Sequence, residues 1–154
     1  MTMLDDLKDY LTSADTAAEL LGLLLLGRRS DLPVEQVTLI ETPGMAGEKV
    51  FNSALLILER PRLQVTSRGV AYVDAWNRMR LVEELLERCG PRTINGVFYH
   101  TIEPVQPPFL LEYDPLDRPI LCQNFEVQKQ RSPHARTVAA TDTAVVLLDE
   151  GGGT

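Results

Sequence analysis

The sequence predicts an α+β fold, a mixed and mostly antiparallel sheet with a long helix and an N-terminal helix packed on it. Two patterns predict it. Apolar residues recur at helical spacing between positions 72 and 89, and the stretches on either side alternate β-branched or aromatic residues with polar ones. A shorter stripe of leucines opens the chain. At 154 residues the chain is read as one domain, 1–130, with an extended loop at about 43–61 and a C-terminal extension or docking arm at 131–154. A domain of this size buries roughly 70% of the surface its unfolded chain exposes.

Residues 2–11 read as a short helix. Thr2 and Asp5 have capping-box spacing, and Leu4, Leu7 and Leu11 share one face. Asp5, Asp6 and Asp9 are expected toward solvent, near the positive end of the helix dipole. Ser13 or Asp15 is placed to cap a second short turn through Ala18 and Leu20. The apolar run 23–26, bounded by Gly22 and Gly27, reads as a buried strand, although period alone does not separate such a run from helix. A loop at 30–33 precedes a strand at 37–42, with Val37 and Leu39 on one face and Ile40 on the other.

The TPGMAG stretch at 42–47 is expected to break that strand as a flexible loop. Its glycines lack the GxGxxG or GxxxxGKS/T spacing of a phosphate cradle, and no clear helix follows. Residues 50–58 are apolar again, with Phe51, Leu55, Leu56, Ile57 and Leu58. They either extend the strand at 63–66 or form a flap covered by another subunit, and the flap is preferred.

The long helix carries Tyr72, Ala75, Trp76, Met79, Val82, Leu86 and Cys89 on one face and Asp74, Asn77, Arg78, Glu84 and Arg88 on the other. Val73 and Leu81 fall on the polar side. Gly90-Pro91 ends it, because glycine accepts the left-handed C-terminal conformation and proline cannot continue a helix. Asn95-Gly96 supplies a tight turn into a strand at 97–102. A meander follows: Phe109, Leu111 and Tyr113 in one strand, a turn at Asp114-Pro115-Leu116-Asp117-Arg118, and Leu121, Phe125 and Val127 in the next. Beyond 130, SPH at 132–134 reads as a linker, and 144–148 as a strand or docking segment suited to exchange between neighbours.

Composition narrows the function. A formal charge of −7 and a pI near 4.8 argue against phosphate neutralisation on nucleic acid. The arginines at 28, 29, 60, 62, 68, 78 and 80 are scattered among acids and read as solvated charge or subunit contacts. Neither an N-terminal signal core nor a membrane-length apolar run is present, so a soluble protein without a cleaved signal is expected. Cys89 and Cys122 lack CxxC spacing and are expected as buried free thiols.

No catalytic, cofactor or metal site emerges. Two histidines, His100 and His134, are too few for a multi-histidine metal site. His100 reads as a structural residue beside Phe98 and Ile102. A Cys122–His100 nucleophile pair is the competing reading, disfavoured because strands of a meander rarely leave an open pocket. Asp114 and Asp117 can share a cation on paper, but the turn accounts for both. Glu83 borders the helix core face, where it is expected to snorkel to solvent or to pair with Arg80. No enzyme activity is expected.

The order of these elements, over about residues 4–130, resembles the tail terminator proteins of long-tailed bacteriophages, also known as the phage minor capsid protein family. An N-terminal helix precedes the strand pair 23–28 and 37–42 and its Pro-Gly loop. Then come the PRLQV strand, YVDAWNRM leading the long helix, and RTINGVFYHTIEPVQPPFLLEYDPLDRPILCQNFEVQ. The sequence departs from the pattern in its LLLL run, the apolar insertion 51–58 and the tail after Arg131. The resemblance implies a virion structural protein that forms a ring, expected to be a homohexamer. Such a ring caps the tail tube at its head-proximal end, stops tube polymerisation and meets the head-tail connector protein, with DNA passing through an acidic lumen without specific binding. Met45, Phe51, Leu55, Ile57, Val145 and Leu147 are the candidate contacts with neighbouring subunits or partners. A head completion or adaptor protein of the connector, or a non-phage binding module, is the alternative.

Overall fold

The computed structural model describes residues 2–13, 20, 22–49 and 57–130. Two helices, α1 (Met3–Ser13) and α2 (Tyr72–Glu87), accompany seven strands: β1 (Leu24–Leu26), β2 (Gln36–Lys49), β3 (Ile57–Arg68), β4 (Arg92–Ile94), β5 (Val97–Pro104), β6 (Phe109–Tyr113) and β7 (Pro119–Gln130). They form one sheet in the order β1-β2-β3-β7-β5-β4, with β6 also on β7. Only the β1–β2 pair is parallel among the described strands. The fold is therefore α+β with a mixed, mostly antiparallel sheet.

Alternation decides which face carries the helices. Ser67 on β3 donates through Oγ to the Ala75 carbonyl, and Gln123 on β7 donates through Nε2 to Glu83, so the odd-numbered residues of both strands look toward α2. Leu63, Val65, Leu121, Phe125 and Val127 are buried there against Ala75, Met79, Val82 and Leu86. Each large side chain of this set contributes about 2 kcal/mol by leaving water. α1 closes the other end of the same layer: Leu7 and Leu11 are buried, and the Tyr10 hydroxyl donates to the Leu85 carbonyl at 2.6 Å.

The strands after α2 do not form the expected meander. β7 lies between β3 and β5, and β5 and β6 run one after the other along the same edge of β7: Ile102 faces Val127, and Phe109 faces Cys122. The prolines at 104, 107 and 108 interrupt the edge between them, since proline has no N–H for the ladder. Two hydrogen bonds bridge the gap: the Val105 amide donates to the Asn124 carbonyl, and Gln123 Nε2 donates to the Gln106 carbonyl.

Several local expectations change in the structure. The capping box forms, with the Asp5 amide donating to Thr2 Oγ1 and the Thr2 amide to Asp5 Oδ2. Asp6, however, is buried rather than solvated, because the Tyr99 hydroxyl and Asn95 Nδ2 donate to it at 2.7 and 2.9 Å. The TPGMAG stretch does not break the strand: β2 continues to Lys49, and its register against β3 slips between Thr42 and Met45 and again between Met45 and Glu48. These are bulges. At Gly44 a Cβ would stand 2.2 Å from the Arg60 carbonyl oxygen, so the close approach of the two strands demands glycine.

Ile57 and Leu58 belong to β3, which favours the strand-extension alternative over the flap for these two residues. Tyr72 and Val73 are exposed at the start of α2 and Trp76 is half-buried, so the core stripe begins at Ala75, while Leu81 packs partly against the core. Gly90 is not left-handed; a Cβ there would meet the His100 carbonyl oxygen at 2.2 Å. Asn95 and Gly96 do take positive φ, 50° and 82°, in the two-residue loop joining β4 to β5.

Candidate assembly surfaces

The end of the sheet where β3 and β6 finish and β1, β2 and β7 begin holds most of the exposed apolar side chains. An open groove of about 1280 Å³ lies there, between the β1–β2 connection and the β6–β7 turn. Its first wall is set by a buried arginine. Arg68, 4% exposed, donates to the backbone carbonyls of Val34, Ser30, Asp31 and Pro33 at 2.7 to 3.0 Å. Gln36 braces the same loop, accepting from the Ser30 amide and donating to the Ser30 and Pro33 carbonyls. A loop that would otherwise be free is fixed by side chains from the sheet.

The second wall is the β6–β7 turn. Asp114 Oδ1 accepts from the amides of Leu116 and Arg118, both at 2.9 Å, and Oδ2 accepts from Arg118 Nε at 2.6 Å. Burial pushes the Asp114 carboxyl up, but these hydrogen bonds and the Arg118 charge outweigh it and hold it below the usual aspartate range. Asp117 takes φ 62° in this turn. Both aspartates serve the loop, and no cluster able to hold a metal exists among the described residues. The walls meet at an ion pair, Arg29 with Glu112 at 3.0 Å.

Between these polar anchors the groove is apolar. Leu25, Leu26, Val34 and Ile120 line it, and Leu32 and Leu116, each 71% exposed, stand at its rim. Along one side runs β6, all five residues of which are exposed, Leu110 and Leu111 included. Among the described strands β6 pairs only with β7, so its other edge keeps free backbone donors and acceptors.

No family model and no curated protein matches this chain in sequence. In shape it is similar to a chain in a solved structure described as the virion of a native gene transfer agent (GTA) particle, with a TM-score of 0.59 and 12% identity over 84% of this chain and 95% of that one. The likeness is one of fold.

Of the contacts expected from sequence, the structure places Met45, 57% exposed on the bulged part of β2, and Ile57, which starts β3 opposite Lys49. Phe51, Leu55, Val145 and Leu147 lie outside the described residues, as do His134, the whole of 131–154 and, of the expected second turn, Asp15 and Ala18, whereas Leu20 at its end is buried. Met45 borders a second recess of about 290 Å³, with Pro43, Gly44, Arg60 and Pro61. This recess sits toward the far end of β2 and β3 from the groove.

The imagined Cys122–His100 pair is not assembled. Cys122 faces Phe109 and Thr66, whereas His100 lies where β5 passes Gln128 and Lys129, about six residues and roughly 20 Å further along β7. Both cysteines are free and buried, which pushes the Cys122 thiol up and the Cys89 thiol up to about 11. Glu83 pairs with Arg80 at 3.1 Å, as expected, and also accepts from Gln123.

Sequence reasoning missed the groove. Arg68 read as solvated charge or a subunit contact, and nothing local to it announces four carbonyl partners more than 30 residues away. One signal was available: FLLEY puts Leu110 and Leu111 side by side, hence on opposite faces of a strand, a pattern that fits neither a half-solvated strand nor a loop.

Proposed function

We propose that this chain is a structural virion protein, a ring-forming tail terminator that caps the tail tube at its head-proximal end. The observation that carries this reading is the likeness in shape to a chain of a virion particle, which covers 84% of this chain and 95% of that one. The order of elements shared with tail terminators supports it independently. So does the separation of two unlike surfaces: the groove lies at one end of β3, and the Met45 recess toward the other. A subunit with different surfaces at its two ends joins its neighbours head to tail, and such contacts close into rings when the rotation permits.

In this role the mechanism is steric. The ring covers the last layer of tube protein, so no further subunit adds, and its opposite face meets the head-tail connector. The formal charge of −7 suits a lumen that DNA crosses without adhering. Met45, exposed on the bulged part of β2, is a contact for the tube or a neighbour.

The deciding experiment combines light scattering and electron microscopy of the purified chain with a tube-growth assay on isolated tails. A closed ring near six subunits that halts addition of tube protein is the expected result. A ring that leaves tube growth untouched but binds the connector overturns the terminator role in favour of an adaptor. Absence of binding to tube and connector alike overturns the virion reading.

A further inference from the structure

We infer that the apolar end of the sheet, from the start of α2 across the mouth of the groove, is covered by a second copy of this chain. Three segments meet there. The Gly69 amide donates to the Pro119 carbonyl, which sets Val70 and the start of α2 beside the β6–β7 turn. Arg68, one residue earlier, holds the 30–34 loop by its carbonyls and stands 3.7 Å from Asp114. Leu32, Val70, Tyr72, Val73, Tyr113 and Leu116 therefore surround the end of β3, and each is 45–71% exposed.

The area matches a stable contact. These six residues leave roughly 600 Å² of largely apolar surface in water, and Leu110 and Leu111 on β6 bring it to about 750 Å². A soluble monomer rarely shows a contiguous apolar patch above a few hundred Å², and a stable interface takes about 800 Å² from each partner.

Charge selects the partner. The groove walls carry four arginines and three carboxylates, and Asp117 in the adjoining turn adds a fourth acid. This end is therefore balanced on a chain of formal charge −7. The surplus of acids lies elsewhere, and identical chains repel one another through it. A neutral apolar end lets a second copy approach without that repulsion. Arg28 is exposed beside the groove and has no ion-pair partner among the described residues, so it meets the acids of the incoming copy.

The surface carries its own reporter. Trp76, the single tryptophan of the chain, is half-buried with its ring 6.3 Å from that of Tyr72, and both border a recess of about 220 Å³ with Val73.

This inference rests on the self-assembly part of the proposed function and names the surface that it uses. It is tested on the full-length chain by light scattering together with acrylamide quenching of Trp76. Assembled wild type is expected to be quenched at least threefold less than the double variant Leu32→Glu with Leu116→Glu, which should be a folded monomer with unchanged far-UV circular dichroism. Neither substitution lies next to Trp76 in the chain or in its recess, so the difference in quenching reads burial by the second copy. If the variant loses its fold, wild type diluted below assembly supplies the monomer. A folded variant that assembles as the wild type does overturns the inference. So does quenching that is equal in assembled and monomeric protein, or a wild type that is monomeric at every concentration. Shielding of Trp76 that appears only when isolated tails are added assigns the surface to the tail tube, which overturns the inference and leaves the proposed function standing. A ring that halts tube growth with Trp76 still open to acrylamide does the same.

Discussion

The Tyr99 hydroxyl donates a 2.7 Å hydrogen bond to the buried carboxylate of Asp6, 93 residues away in the chain. Asn95 Nδ2 adds a second donor from the β4–β5 turn, so one side chain of α1 ties that helix to the far end of the sheet. Burial, and then this hydrogen bond, push the Tyr99 phenol far above its usual range. Tyr99→Phe removes the donor and leaves a buried carboxylate short of a partner. The expected cost is about 2 kcal/mol, read as a urea midpoint lower by roughly 1 M. A midpoint unchanged within error would mean that Asn95 alone satisfies Asp6.

Gly90 and Gly96 flank β4 and should respond differently to alanine. At Gly90 the added Cβ meets backbone, the His100 carbonyl oxygen at 2.2 Å, so β5 must move away from the end of α2. At Gly96 there is open space, and the penalty comes only from φ 82°. Gly96→Ala is expected to cost about 1 kcal/mol and Gly90→Ala about 3 kcal/mol or more. Equal costs in chemical denaturation would refute the close-approach account of Gly90.

The thiol of Cys89 offers a test in pH. Its folded value, about 11, lies above the ordinary 9.0 because burial penalises the thiolate. A raised pKa contributes stability that is fully present below pH 9 and is lost as pH climbs through 11. The stability advantage of the wild type over Cys89→Ala should therefore shrink between pH 9 and 11, by roughly 2 to 3 kcal/mol. In the native protein at pH 8, neither Cys89 nor Cys122 should react with a thiol reagent until denaturant is added. A constant gap across that pH range would contradict the burial of this thiol.

What could be read from the sequence was local. The stripe of α2 from Ala75 to Leu86, the Thr2–Asp5 cap and the Asn95-Gly96 turn each depend on residues within a few positions, and each forms as expected. Strand neighbours are not local: nothing in the run 119–130 states that it will lie between β3 and β5 instead of closing a meander. Asp6 was expected at the surface because the helix dipole accounts for an acid in the first turn, and its real partner is distant in sequence. The bulge at Gly44 escaped for a related reason. Pro-Gly pairs usually end strands, and only the facing Arg60-Pro61 backbone makes this one continue. The groove combines all of these blind spots, since each wall is set by contacts between separated segments.

Arg68 is where that combination can be tested. Its guanidinium reaches four carbonyls of the loop 30–34 and lies 3.7 Å from Asp114, so a single side chain from β3 holds both walls of the groove. Arg68→Lys keeps the charge but not the planar fork, and an ammonium has too few donors to serve the same carbonyls. Gln36 still donates to Ser30 and Pro33, so the carbonyls of Asp31 and Val34 are left short, and at about 1 kcal/mol each the expected destabilisation is about 2 kcal/mol. Because Gln36 still braces Ser30 and Pro33, the loop should loosen without global unfolding. Amide exchange in residues 30–35 should accelerate by one to two orders of magnitude, while α2 and the centre of β7 keep their protection. Exchange that rises equally everywhere would show that Arg68 supports the fold as a whole and not the groove in particular.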